Sequence, residues 1–310
     1  MNLPSVTRVY ENHHLDSPRW ERFATRPGDI LVTTAYKSGT TWMQTIVANL
    51  LFQEQEIPGP IMDLSPWIDM RPNDFTAIQE ITAAQSHRRF LKTHLPLDGI
   101  PFKSDMRYIY VGRDLRDVFM SMWNHYGNHS DLFFDVINNP DSLHGEPLPR
   151  CPEDIKAYWR QWSTKGSFDW EHDGYPHWSA SHHAQTWWDY RHLSNILFIH
   201  HQDLLDDPSG EIARIAEFLE IDTSANNLAK IVEAVSFKTM QANSDNVLGN
   251  AQVFWNGGGK RFLNKGTNGR WREVLDENDL KLYAALKQRS LSESCAAWLE
   301  QGRATCPDLS

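Results

Sequence analysis

Lys37, Ser38, Gly39, Thr40, Thr41 and Trp42 follow a run of β-branched and aliphatic residues, Ile30-Leu31-Val32-Thr33-Thr34, and precede an apolar stretch of good helix formers from Met43 to Phe52. One lysine, three hydroxyls and a glycine between a strand and a helix suit an anion with several oxygens. The first amides of a helix lack intrahelical partners and carry the positive end of its dipole, so phosphate binds there. Thr40 or Thr41 is expected to cap the helix, and Lys37 adds a mobile charge. The same residues would also serve an ordinary capped turn. The order is not that of the nucleoside-triphosphatase loop, in which the lysine follows the last glycine. Here Lys37 precedes Gly39.

Further groups carry chemistry of the same kind. Arg113 comes directly after the apolar run 105–112 and starts a helical pattern; Ser121 lies eight residues on, about two turns later on the same face. Together they suit one phosphate, since the guanidinium fork binds oxyanions bidentately. The alternative is an ion pair between Arg113 and Asp117. Lys92-Thr93-His94 ends another apolar run. Residues 254–272 are glycine-rich, basic and aromatic at once, which suits either a flexible flap over an anion or a solvated basic loop.

Apolar runs at 29–34, 88–94, 105–112 and 195–200 read as strands. They alternate with helical spacing at 43–52, 76–85, 115–126 and around Trp187-Trp188. The pattern predicts a single α/β domain over residues 1–310 with a mostly parallel central sheet flanked by helices. Ligands of such sheets bind beyond the carboxyl ends of the strands. Lys37, His94, Arg113 and His201 all fall there. Residues 1–26 read as a polar surface lead-in. The span 128–181 carries no legible motif but is crowded with Tyr158, Trp159, Trp162, Phe168, Trp170, Tyr175 and Trp178, which suit either an acceptor site or a core.

Composition sets the bounds. With 40% hydrophobic residues in 310, the chain can bury a core. A net charge of −10 argues against nucleic acid as a partner, so an anionic ligand needs a local cluster of cations. Three widely spaced cysteines give neither a disulfide framework nor a zinc knuckle. The paired histidines His13-His14, His182-His183 and His200-His201 point apart on helix or strand, so no metal is expected. Without an apolar leader or a run of membrane length, the expectation is a protein of a reducing cytoplasm.

Lys37-Ser38-Gly39-Thr40-Thr41-Trp42 after a buried strand resembles the 5′-phosphosulfate loop of the cytosolic-type sulfotransferases, which use 3′-phosphoadenosine 5′-phosphosulfate (PAPS) as donor. Tyr110-Val111-Gly112-Arg113-Asp114 through Ser121 resembles their 3′-phosphate segment. Lys92-Thr93-His94 resembles their catalytic segment, and Lys265-Gly266-x-x-Gly269-x-Trp271 their glycine-rich signature. The matches run in family order from Lys37 to Trp271, and the resemblance implies the P-loop-like sulfotransferase fold. It implies His94 as general base, with Lys37 and Lys92 stabilising charge. Neutral imidazole, with a reference pKa of about 6.5, is suited to taking a hydroxyl proton at cell pH.

The cofactor set implied is Lys37, Ser38, Gly39, Thr40, Thr41, Trp42, Arg113, Ser121, His201, Phe237, Asn264, Lys265 and Gly266, with Phe237 and Trp42 sandwiching adenine. Four residues depart from the family. Asn264 stands where an arginine is usual, to be replaced by Lys260, Arg261 or Arg270; Arg270 stands for an aspartate, Val235 for a threonine and His201 for a tyrosine. The family's dimerisation motif is not recognisable in residues 272–281, which leaves the oligomeric state open. Tyr36 before Lys37 resembles bacterial members, some of which sulfate glycolipids. The acceptor expected is therefore a hydroxyl, less often an amine, of a small molecule or glycolipid. An ATP-using P-loop kinase, a non-catalytic nucleotide-binding module, and sulfation followed by elimination are the other readings.

Overall fold

Four parallel strands in the order β2-β1-β3-β4 form the centre of the computed structural model, which describes residues 3–306 and 309. The strands are β1 (Ile30–Thr34), β2 (Phe90–Thr93), β3 (Arg107–Gly112) and β4 (Ile196–His200). Ile30 pairs with Phe90 on one side and Arg107 on the other, and Tyr108 pairs with Ile196. All five residues of β1 are buried, as a parallel sheet covered on both faces requires.

Alternation along the strands divides two cores. Leu31, Leu91, Tyr108, Tyr110, Ile196 and Phe198 face one core with Phe119, Trp187 and Trp298. Ile30, Val32, Phe90, Ile109, Val111 and Ile199 face the other, against Met43, Ile46, Val47 and Leu50 of the Thr40–Phe52 helix and Ile212 and Ile215 of the Pro208–Phe218 helix. A period of two on the strands meets a helical stripe on each side. The Leu115–Tyr126 helix buries Val118, Met122 and Tyr126, as its spacing predicts.

Three expectations are corrected. The lead-in is not a surface coat: Tyr10 and Leu15 are fully buried, Trp20 nearly so, and Arg19 donates to the carbonyls of Met70, Arg71 and Asn73. Residues 1 and 2 of that segment, and 307, 308 and 310 of the expected domain, lie outside the described residues. Neither Thr40 nor Thr41 caps its helix; Gly39 is the N-cap. Arg113 does not start the next helix, because Asp114 caps it and accepts from the Arg116 amide.

Candidate active site

The loop after β1 has an unusual backbone. Lys37 has φ of 66° and Gly39 φ of 117°, both in the left-handed region, which a side chain adopts at a cost of about 1–2 kcal/mol. A Cβ on Gly39 would also lie 3.2 Å from Cδ2 of His201. The consequence is a helix start on which, among the described residues, no side chain caps the first amides. Thr40 instead turns its hydroxyl to Thr34 Oγ1 at 2.6 Å. The N–H groups at this end are left for a ligand.

Lys37 sends its ammonium to Nδ1 of His125 at 3.1 Å and lies 4.3 Å from the Phe262 ring centroid. Burial, with the charges of Lys92 and Arg113, pushes it down to about 7. Lys92 sits 4.8 Å from the Trp67 ring centroid and is pushed down by burial to about 8. Arg113 is 6% exposed, and its fork is held by Lys37 O and Thr267 O at 3.2 Å and Asn268 Oδ1 at 2.8 Å. Asp117, its expected ion-pair alternative, instead accepts from the Gly269 amide at 2.8 Å. Arg113 therefore keeps a buried charge without a salt bridge to a carboxylate among the described residues.

His94 lies just beyond β2, its Nδ1 2.9 Å from the carbonyl oxygen of Thr34. A carbonyl only accepts, so Nδ1 carries the proton and Nε2 keeps its lone pair. Burial, then Lys92, holds the ring well below the usual histidine range, and Lys37 acts the same way. The imidazole is neutral at cell pH, and on the cavity wall it has a basic nitrogen to offer.

These groups line one cavity of about 430 Å³. Its wall includes Gly39, Thr40, Thr41, Trp42, Arg113, Ser121, His201, Val235, Phe237, Asn264, Lys265, Gly266 and Arg270, together with the apolar and aromatic Trp67, Phe133, Val136, Ile137, Phe254 and Trp255. Lys37, Lys92, His94 and His125 also line it. Five cations thus share the wall: Lys37, Lys92, Arg113, Lys265 and Arg270. Among the described residues none of them makes a salt bridge, and the one carboxylate on the wall is the exposed Asp63. Arg270 Nε is buried with no hydrogen-bond partner among the described residues, as is Trp42 Nε1.

Most of the expected residues converge here, with exceptions. Ser38 is buried and is not among the residues lining the cavity. Of the three cations offered in place of the arginine missing at 264, Arg270 reaches the wall, whereas Arg261 is spent on Asn128 Oδ1 at 2.9 Å. Of the crowded aromatics of 128–181, Tyr158, Trp159, Trp162 and Trp178 are buried in the core and are not among the residues lining the cavity, which takes Phe133, Val136 and Ile137 from that span. The segment expected as a flap lines the cavity with Phe254, Trp255 and residues 262–266; it includes a short helix, Gly258–Phe262, and a loop tied to Gln241, whose Nε2 donates to Leu263 O at 2.7 Å. Phe237 packs against Gly266, where a Cβ would meet its ring at 2.5 Å.

Two polar residues of the site escaped the sequence reading. His125 had a signal, since it lies four residues after Ser121 on the same helix face. Asn268 had none beyond its position between Gly266 and Gly269. Tyr36 is also drawn in, its hydroxyl 3.2 Å from His125 Nε2 and its ring packed edge-on against His94 at 4.9 Å. Among the described residues no cluster of three or more His, Cys, Asp or Glu is arranged to hold a metal.

Comparison with known proteins bears on the family and the fold. The profile of the sulfotransferase domain family matches residues 27–294. A glycolipid sulfotransferase of Mycobacterium bovis is 28% identical over 312 residues, covering 95% of this chain and 94% of that protein. The structure of retinol dehydratase with androsterone and the inactive cofactor PAP matches with a TM-score of 0.67 at 22% identity, over 90% of this chain and 87% of that one. Mouse sulfotransferase SULT7A1 complexed with PAP matches with a TM-score of 0.66 at 20% identity, over 94% and 93%. At such identities the two structures speak to the fold alone, and it is the same α/β fold. The domain profile runs from the residues before β1, through all four strands and the flap, into the last helices, so the chain belongs to the sulfotransferase family.

Proposed function

We propose that this sulfotransferase moves a sulfuryl group from PAPS to a hydroxyl of a small-molecule or glycolipid acceptor, with His94 as the base. The observation that carries the reading is the set of five cations on one cavity wall that make no salt bridge among the described residues, in a chain of net charge −10. Arg113 is buried and Lys37, Lys92 and Arg270 are half-buried, whereas Lys265 is exposed; charge withdrawn from water is costly unless a ligand neutralises it. A bis-phosphorylated nucleotide fits that demand. The uncapped helix start at Gly39 and Lys37 suit its 5′ end, Arg113, Ser121, Lys265 and Arg270 suit a 3′-phosphate, and the faces of Trp42 and Phe237 suit a base.

When bound, the donor supplies an activated sulfuryl group. The chain's own work is to hold it, to exclude water and to move one proton. His94, protonated on Nδ1, takes the acceptor's hydroxyl proton on Nε2 as the acceptor oxygen becomes a nucleophile. Lys37 and Lys92 bring positive charge to the oxygens on which negative charge collects. Trp67, Phe133, Val136, Ile137, Phe254 and Trp255 give the acceptor a mostly apolar, aromatic bed, which suits a ring or lipid-like body beside the reacting hydroxyl. The similarity to a glycolipid sulfotransferase supports a glycolipid as one such acceptor.

Thermal unfolding with 3′-phosphoadenosine 5′-phosphate, beside ATP with Mg²⁺, tests the donor. At 100 times its dissociation constant the 3′-phosphorylated nucleotide should add about 2.7 kcal/mol of stability without metal. Stabilisation by ATP with Mg²⁺ alone would overturn the reading. His94→Ala tests the base: turnover should fall by about 10²–10⁴-fold while nucleotide affinity is nearly kept.

A further inference from the structure

Asn268 stands behind the cavity wall and touches two of its members at once. Its Oδ1 accepts from Arg113 Nε at 2.8 Å, while its Nδ2 donates to Gln202 Oε1 at 2.9 Å and faces His201 Nδ1 at 3.3 Å. The orientation of this amide follows from chemistry. A guanidinium only donates, so the carbonyl end of Asn268 must face Arg113 and the NH₂ end must face His201. His201 Nδ1 then has to accept. In a neutral ring the proton is consequently on Nε2.

The other edge of the ring looks into the site. His201 lines the cavity, and its Cδ2, bonded to Nε2, is the atom that a Cβ on Gly39 would approach at 3.2 Å. We infer that Asn268 is a positioning residue that, through one amide, fixes His201 as the Nε2–H tautomer and presents that N–H to the nucleotide beside the Arg113 guanidinium. The inference rests on the nucleotide reading above. It also shows how a histidine serves at a position where the resemblance leads one to expect a tyrosine: both offer one hydrogen-bond donor, but only the histidine needs a neighbour to decide which nitrogen carries it. Burial and the Arg113 charge keep the ring neutral, well below the usual histidine range, so the proton count stays at one. The guanidinium has five N–H donors, of which three go to Asn268, Lys37 and Thr267, leaving two for an anion.

Long-range ¹H–¹⁵N NMR of the histidine rings in the ligand-free protein tests the first half. Wild type should show His201 protonated on Nε2 alone. Asn268→Asp, which offers acceptors to both neighbours, should move the proton to Nδ1. A wild-type ring protonated on Nδ1 would overturn the inference whatever the nucleotide does. Titration with 3′-phosphoadenosine 5′-phosphate tests the second half: Asn268→Ala should weaken binding by about tenfold, the scale of one lost hydrogen bond to a charged ligand. Equal affinity in the variant would defeat the positioning role while leaving the donor assignment intact. A wild type that does not bind this nucleotide would defeat the donor assignment itself, and with it the second half.

Discussion

At the residue scale the reaction depends on where protons sit, and the two half-buried lysines make that measurable. Lys37 is pushed down to about 7 by burial and by Lys92 and Arg113, and Lys92 to about 8 by burial. Between pH 7 and 9 the ligand-free site therefore sheds protons that a bound anion would retain. Over that range a phosphate with its second pKa of about 6 is already ionised, so the ligand's own charge hardly changes. Affinity for 3′-phosphoadenosine 5′-phosphate should fall from pH 7 to 9, by up to about tenfold per pH unit for each proton taken up. Lys37→Ala should lower the affinity and flatten this slope. Stability of the ligand-free protein should move the opposite way. The folded pKa of Lys37 lies below its ordinary value, the unfolded chain binds more protons, and stability rises as pH climbs from about 7 toward that value. Calorimetric titration across the range checks both signs. An affinity flat from pH 7 to 9 would mean that neither lysine neutralises the ligand.

At the element scale the strand ends were legible and the helix starts were not. β-branched and aliphatic runs marked all four strands, and because every strand is parallel, their carboxyl ends brought Lys37, His94, Arg113 and His201 to one rim. Caps depend on a single backbone dihedral, which residue types constrain weakly. Threonine at 40 or 41 is a good cap by type, yet Gly39 takes that position because the chain turns through left-handed conformations at Lys37 and Gly39. The difference matters for function. A threonine cap would have consumed an amide that the observed geometry leaves for a phosphate. Gly39→Ala should therefore lower stability by about 1–2 kcal/mol from strain alone. It should also weaken nucleotide binding, since the added Cβ presses on His201. Urea unfolding and nucleotide titration of the same variant separate the two effects. Full affinity with only a stability loss would show that the loop tolerates a shift and that the uncapped helix start is not what holds the ligand.

At the scale of the whole molecule, what stayed hidden were contacts between segments far apart in sequence. The crowded aromatics near Trp159 lacked a periodicity that tells core from binding site, and the protein resolves them into core because Phe119 and the Glu277–Ser290 helix cover them; Trp159 Nε1 donates to the carbonyl of Asp279 at 3.2 Å. The first residues were misread for a related reason. A short polar stretch with few apolar residues looks like a surface segment, and Leu3, Val6 and Val9 are indeed exposed, yet Tyr10, Leu15, Trp20 and Phe23 are anchors. Tyr10 is fully buried, packs edge-on against Phe168 and Trp170 at 5.1 and 5.6 Å, and donates its hydroxyl to Asp98 Oδ1 at 2.8 Å. Asp98 is held from the other side by His182 Nε2 at 2.9 Å, so one tyrosine links the N-terminal segment, the turn after β2 and the Ala180–Trp188 helix. His13 and His14 follow and pack under the site, with the His14 ring 6.5 Å from that of Tyr36. The segment should thus contribute to global stability. Tyr10→Ala is expected to cost about 3–5 kcal/mol, in the range of buried aromatic truncations, against about 0.5 kcal/mol or less for a surface change. Tyr10→Phe, which keeps the ring and loses one hydrogen bond, should cost about 0.5–1.5 kcal/mol, because Asp98 still has His182. Urea midpoints of the two variants read the difference directly. A midpoint unchanged in Tyr10→Ala would return Tyr10 and its neighbours to the surface, whereas the ordered losses would show that this segment is part of the folded core.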